Sequence, residues 1–167
     1  MPPIRTRRAC LAAALAAGAL GLTASTTAAA TSHLKVSSTA VTRAFSFFAA
    51  PNSKTQTLFN ANGLLLNARC TSAGAPIVFA FSSGAGGDLL GRIFDGADRI
   101  HAIHNTSFDK RSKGVQINPS SNDFDSTGTL LYEDIGSRVV TVNIAMDNAT
   151  TLGGRRVCTV YGSYVAS

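Results

Sequence analysis

The chain has no tryptophan, and of its 167 residues only three are cysteine. Without an indole, a sugar-stacking platform would have to rest on tyrosine or phenylalanine, which lowers the case for a carbohydrate site built on aromatic faces. No apolar run is long enough to cross a bilayer. The longest, Ala9–Leu22, falls short of the ~20 residues a spanning helix needs. The C-terminus carries no hydrophobic tail for lipid attachment. Known catalytic signatures are missing as well. There is no Gly-x-Ser-x-Gly elbow to expose a nucleophilic serine and no Gly-Lys-Ser/Thr phosphate loop. The glycines of Ser83-Gly84-Ala85-Gly86-Gly87-Asp88 fail the dinucleotide spacing, because Leu89 stands where the third glycine would be required. They read as a flexible hairpin or Ω-type loop.

What is present begins with an export signal. Arg5, Arg7 and Arg8 form a positive n-region, Ala9–Leu22 supplies the apolar segment, and Ala28-Ala29-Ala30 offers small residues for cleavage. Residues 1–30 are therefore expected to be removed, leaving 31–167 as a single secreted, extracellular domain. Cys10 stands at the beginning of the apolar run, not at its end where a lipoprotein anchor would place it, and it leaves with the signal. Thr6–Leu11 partly matches the twin-arginine motif, although the general secretory route is preferred. Loss of three arginines brings fifteen basic residues down to twelve against nine acidic ones, a net charge of +3. Cys70 and Cys158 are then the only cysteines left to pair in an oxidising compartment, with two reduced core thiols as the alternative.

Residues 31–167 sustain no long 3.6-residue apolar period. Short runs instead alternate with period two between clusters of Gly, Asn, Asp and Ser, the pattern of an all-β chain. Expected strands are Leu34–Thr42, Arg43–Phe48 with Phe45 and Phe47 on one face, Thr55–Phe59, and Leu64–Cys70 with Leu64, Leu66, Ala68 and Cys70 aligned. Asn62-Gly63 between the last two is a two-residue hairpin signal. Ile77–Phe81 is expected to send Ile77, Phe79 and Phe81 inward. Leu89–Phe94, Arg99–Asn105, Val115–Asn118 and Thr129–Tyr132 follow, and after the turn at Ile135-Gly136-Ser137 the residues Val140, Val142, Ile144 and Met146 share one face. Val157–Val165 closes the chain with Cys158, Val160 and Tyr164 aligned. About eight to ten strands in one domain predict an antiparallel β-sandwich or a barrel.

The most specific local pattern is Asp123–Asp134, which resembles a calcium loop: Asp123 and Asp125 at its first and third positions, Thr127 at the fifth, Gly128 at the sixth and Asp134 at the twelfth. Thr127 is a weak ligand, Asp134 is short, and no helix flanks the segment, so an Asp/Ser/Gly turn entering a strand is the preferred reading. No cofactor is assigned, and calcium is the one metal considered for these residues. Asp98, His101 and His104 would line one side of a helix, but a strand turns the two histidines to opposite faces. Asp95-Gly96-Ala97-Asp98 reads as a turn in preference to a paired-carboxylate hydrolase site. Lys110-Arg111-Ser112-Lys113 and Arg155-Arg156 are basic clusters without interleaved aromatics, Phe108 aside. A solvated loop is therefore the preferred reading and no nucleic-acid partner is expected; attachment to an anionic wall or lipid surface is the functional reading for a secreted domain of net charge +3. Asn105-Thr106-Ser107 and Asn148-Ala149-Thr150 match the glycosylation acceptor pattern.

Together with the Ala-rich signal, the segments Leu58–Cys70, Gly128–Tyr132 and Val139–Val142 resemble uncharacterised secreted β-rich proteins of high-GC Gram-positive bacteria, over roughly Leu58 to Tyr161. The resemblance implies a bacterial secreted β domain in which the first cysteine after a Gly-Leu turn meets one near the C-terminus, as Cys70 and Cys158 would. It implies no activity. The expected function is that of a non-catalytic surface or interaction module whose partner is an extracellular protein, a glycan or a cell-wall component. The alternative is a small extracellular enzyme or enzyme inhibitor with its site in the loops at 83–98 or 105–127.

Overall fold

A computed structural model describes residues 39–96, 99–118, 125–148 and 151–167, all of them within the compact unit Ser37–Ser167. The period-two segments form twelve strands, and there is no helix among the described residues. They are β1 (Val41–Ala49), β2 (Gln56–Ala61), β3 (Leu64–Cys70), β4 (Pro76–Ser82), β5 (Gly87–Asp95), β6 (Ile100–Asn105), β7 (Val115–Gln116), β8 (Ser126–Asp134), β9 (Val139–Asp147), β10 (Thr151–Leu152), β11 (Arg155–Arg156) and β12 (Cys158–Ala166). A six-stranded sheet runs β1-β12-β9-β8-β5-β6, a four-stranded sheet runs β2-β3-β4-β7, and β10 and β11 pair as a small hairpin. Every pairing is antiparallel. The two larger sheets pack face to face, so of the two expected architectures the chain adopts the sandwich.

Burial alternates along the central strands as the pleat demands. In β9, Val140, Val142, Ile144 and Met146 are buried, and β12 aligns Val160 and Tyr164 beside them. Across the sheet, one row alternates large residues with glycine: Phe45, Gly162, Ile144, Gly128 and Ile93 follow one another from β1 to β5. A Cβ on Gly162 would lie 2.1 Å from the Asn143 carbonyl oxygen and 2.8 Å from the Phe45 ring, so only glycine fits between them. From the smaller sheet, Phe59 stacks on Tyr164 at 4.3 Å, joining the layers. At one end, the Cys70–Cys158 disulfide ties the last residue of β3 to the first of β12, with the Cα atoms 5.7 Å apart. At the other end, Phe108, on the connection from β6 to the smaller sheet, is fully buried, and its amide donates to the Gly87 carbonyl at 3.0 Å. Phe108 meets Tyr132 edge to face at 5.9 Å.

Asn62 and Gly63 both adopt positive φ, 45° and 92°, which is the twist a two-residue hairpin turn requires between β2 and β3. The expected strands Leu34–Thr42 and Arg43–Phe48 become the single β1, and residues 34–38 lie outside the described residues together with residues 1–30. The expected inward face of β4 is reversed at Phe79 and Phe81, although Ile77 is buried as expected. Val78, Ala80 and Ser82 face the core, while Phe79 and Phe81 are only half-buried on the opposite side. The cause is register: Val78, Ala80 and Ser82 stand directly opposite Ala68, Leu66 and Leu64 of β3, which already face inward, and opposed residues share a face. Alternation alone singles out the larger side chains. Leu64 and Leu66 fill the layer, so small residues suit the space opposite them.

Candidate functional site

Residues displaced from the core by that register form the outer face of the smaller sheet. Phe79 and Phe81, two residues apart on β4, project to the same side with ring centroids 6.1 Å apart. Asn67 of β3 lies directly opposite Phe79, and Thr57 Oγ1 of β2 donates to Asn67 Oδ1 at 3.0 Å, holding that amide in place. On the far edge, Gly114 comes so close that a Cβ there would lie 2.3 Å from the Phe81 ring. The ring is therefore seated against bare backbone. Thr55, Asn67, Arg69, Phe79, Phe81, Lys113 and Gly114 enclose an open groove of about 420 Å³. Arg69 and Lys113 are exposed, and among the described residues no acidic side chain lines the groove. Aromatic faces flanked by cations can hold a flat or anionic ligand through stacking together with charge. Lys113 belongs to the basic cluster Lys110–Lys113, for which the sequence offered Phe108 as the nearby aromatic. Phe108 is fully buried, and the fold brings Phe79 and Phe81 to Lys113 in its place.

A second depression, an open cleft of about 440 Å³, lies between Ala85–Asp88, Thr106–Asp109 and Glu133–Ser137. Asp88 and Glu133 are opposed residues on β5 and β8 and both are exposed. The other two carboxylates belong to turns. Asp109 Oδ1 accepts from the amides of Arg111 at 2.8 Å and Ser112 at 2.9 Å, and these bonds, the Arg111 amide first, hold its carboxyl below the ordinary value. Burial pushes the Asp134 carboxyl up, but the Arg138 guanidinium and amide and the Gly136 amide outweigh it and bring the carboxyl below the ordinary value.

Of the calcium-loop candidates, Asp123 lies outside the described residues. Asp125 precedes β8, Thr127 is its second residue and Asp134 its last. At about 3.3 Å per residue, an extended strand puts Thr127 and Asp134 more than 20 Å apart, so the loop-like spacing does not converge on one ion. Calcium-loop geometry requires a tight turn at Gly128, and here Gly128 pairs with Ile93 and Ile144 inside the sheet. His101 and His104 sit on β6 facing opposite ways, and Asp98 lies outside the described residues. No group of three His, Cys, Asp or Glu converges among the described residues. Asn105 Oδ1 accepts from the Ser107 amide at 3.0 Å in its own turn, and the second acceptor pattern runs into residues 149–150, which are not described.

The Asp125 carboxyl is shifted upward. Desolvation, followed by a hydrogen bond and charge repulsion from Asp147, raises it above the ordinary value. Sequence reading missed this pairing because the two residues are far apart in the chain and meet only through the β8–β9 register. The two Phe residues of the groove were missed for the same kind of reason. No helix among the described residues is long and apolar enough to cross a membrane. No family model matches the chain, and no curated protein or solved structure is similar to it.

Proposed function

We propose that this protein is a secreted, non-catalytic binding module that attaches to an anionic cell-envelope glycopolymer through the groove of Phe79, Phe81, Arg69 and Lys113. One observation carries the reading: β4 turns its two phenylalanine rings away from the core, where they are flanked by exposed cations and, among the described residues, by no carboxylate. An aromatic pair left half-exposed forgoes burial that would stabilise the fold, and a binding surface accounts for it. The net charge of +3 on residues 31–167 acts in the same direction at longer range. The disulfide between the sheets is compatible with an oxidising, extracellular location.

A small enzyme or inhibitor working in the cleft beside Gly86 is the second reading, because two of the three segments lining it, Ala85–Asp88 and Thr106–Asp109, fall within the loops where such a site was expected. Two of its four carboxylates are already engaged in their own turns, and both are held ionised, which does not make a general acid. Cosedimentation with Gram-positive cell walls, intact or stripped of their phosphate-bearing polymers, separates the readings. Binding to intact walls only is expected, weakening several-fold as salt shortens the screening length to below about 10 Å. Arg69→Ala, Lys113→Ala and Phe81→Ala should each lower it. Binding that ignores salt and these substitutions, but fails in Glu133→Gln, would move the function to the cleft.

A further inference from the structure

Six of the nine large apolar residues that are exposed among the described residues fall into two rows on the outer face of the six-stranded sheet. Cross-strand register aligns Tyr161, Phe94 and Ile100 in the first row. It aligns Val165, Leu131 and Leu90 in the second. Between them runs a polar row of Ser163, Asn143, Thr129 and Arg92, in which Thr129 Oγ1 donates to Asn143 Oδ1 at 3.1 Å. Acidic side chains keep to the margins. Asp125 and Asp147 stand beyond the first row, Asp88 and Glu133 beyond the second, and the three central rows carry no carboxylate.

The second observation is a symmetry in this pattern. The strand order β1-β12-β9-β8-β5-β6 has its midline between β9 and β8. A two-fold axis along that midline lays β9 of one copy over β8 of another, β12 over β5 and β1 over β6, and leaves each row facing itself. Tyr161 then meets the partner's Phe94, Val165 meets the partner's Leu90, and Arg92 meets the partner's Ser163. Aromatic faces aromatic, aliphatic faces aliphatic, and the cation faces a hydroxyl instead of a second cation. The carboxylates stay at the rim, which is the arrangement of a specific interface with an uncharged centre and a polar margin. Stacked sheets cross at about 30°, so the match holds best at the four central strands.

We infer that the outer face of the six-stranded sheet is a homodimer interface, with its two-fold axis along the strands between β8 and β9. The size is sufficient. Six strands about 4.8 Å apart, carrying five rows about 6.7 Å apart, cover roughly 800 Å² per copy, which is the share of each partner in a stable interface of standard size. A bilayer would suit the two apolar rows but would leave the row from Ser163 to Arg92 without polar partners, whereas a second copy brings hydroxyl and amide groups to it. The groove of Arg69 and Lys113 lies on the other sheet, so the dimer presents two grooves facing away from each other. The inference stands whatever that groove binds.

The test is sedimentation velocity of the protein from about 1 to 200 µM, which needs no substitution. A reversible monomer–dimer equilibrium is expected, with a Kd below about 100 µM. Tyr161→Glu and Phe94→Arg each change an exposed side chain, and circular dichroism should show the fold intact. Each alone should weaken dimerisation at least about tenfold. Mixing the two variants should restore dimers, because the introduced charges of opposite sign then face each other across one contact while the symmetry-related contact keeps its parental pair. A parent that remains monomeric at about 200 µM, single variants that dimerise as the parent does, or a mixture that fails to dimerise would each overturn the assignment. So would a monomer that binds zwitterionic lipid vesicles and loses that binding in Tyr161→Glu, an outcome that gives the face to a lipid surface.

Discussion

Val142 and Thr141 are chain neighbours with opposite surroundings, and the contrast between them shows how strictly the pleat sorts side chains. Val142 is fully buried in a row with Tyr164, Leu130, Gly91 and Ile103, whereas Thr141 looks outward between Val165 and Leu131. A carboxylate at 142 would have no partner, so Val142→Asp is expected to destabilise by more than about 4 kcal/mol, enough to unfold a marginal domain. Thr141→Asp should remain below about 1 kcal/mol. Chemical denaturation of the two variants checks this, and equal effects would mean that the face of β9 is misassigned. The alternation of β9 was legible in the sequence. That of β4 was equally regular and pointed the wrong way, because pattern identifies two faces without saying which of them meets the other layer.

The turns between strands carry their own chemistry. Asp95–Arg99 and Asp134–Arg138 close the β5–β6 and β8–β9 hairpins with the same clamp. In each, the aspartate amide donates to the arginine carbonyl at 3.0 Å, the arginine amide returns a bond to the carboxylate at 2.9 Å, and the guanidinium Nε grips the second carboxylate oxygen. Both aspartates are buried while both arginines are largely exposed. The sequence showed turns at both places but not their common Asp-x-x-x-Arg logic, which depends on the carboxylate folding back over its own hairpin. Asp134→Ala leaves the Gly136 and Arg138 amides without their acceptor and is expected to cost about 1–3 kcal/mol at neutral pH. The Asp134 carboxyl is lowered in the fold, so its stabilisation is complete above the ordinary value of 3.8 and disappears as pH falls through the lowered one. The stability gap between parent and variant should therefore close in acid. A gap that stays constant down to about pH 2 would show that the clamp does not depend on the charge of Asp134.

For the molecule as a whole, the disulfide joins the two layers at the end where β3 leaves the smaller sheet, across a sequence separation of 88. Closing a loop of that length removes chain entropy worth about 4–5 kcal/mol from the unfolded state. Reduction, or the Cys70→Ala/Cys158→Ala double variant, is expected to lower unfolding stability by a few kcal/mol without changing the strand content seen by circular dichroism, because both sheets keep their ladders and their shared core. Denaturant unfolding with and without reductant measures the loss, and equal midpoints would show that the bridge adds nothing to the packed layers.

Local pattern sufficed for the all-β class, the pairing of the two cysteines, the Asn62-Gly63 hairpin and the buried faces of β3, β9 and β12. Each follows from residues adjacent in the chain or, for the cysteines, from the expectation that Cys10 leaves with an export signal. The sandwich topology, the outward Phe79 and Phe81, their meeting with Arg69 and Lys113, and the approach of Asp125 to Asp147 were settled by tertiary structure alone. In every such case the partners are brought together by cross-strand register, and register is a property of two strands and of the layer they cover, which a single strand's alternation does not encode.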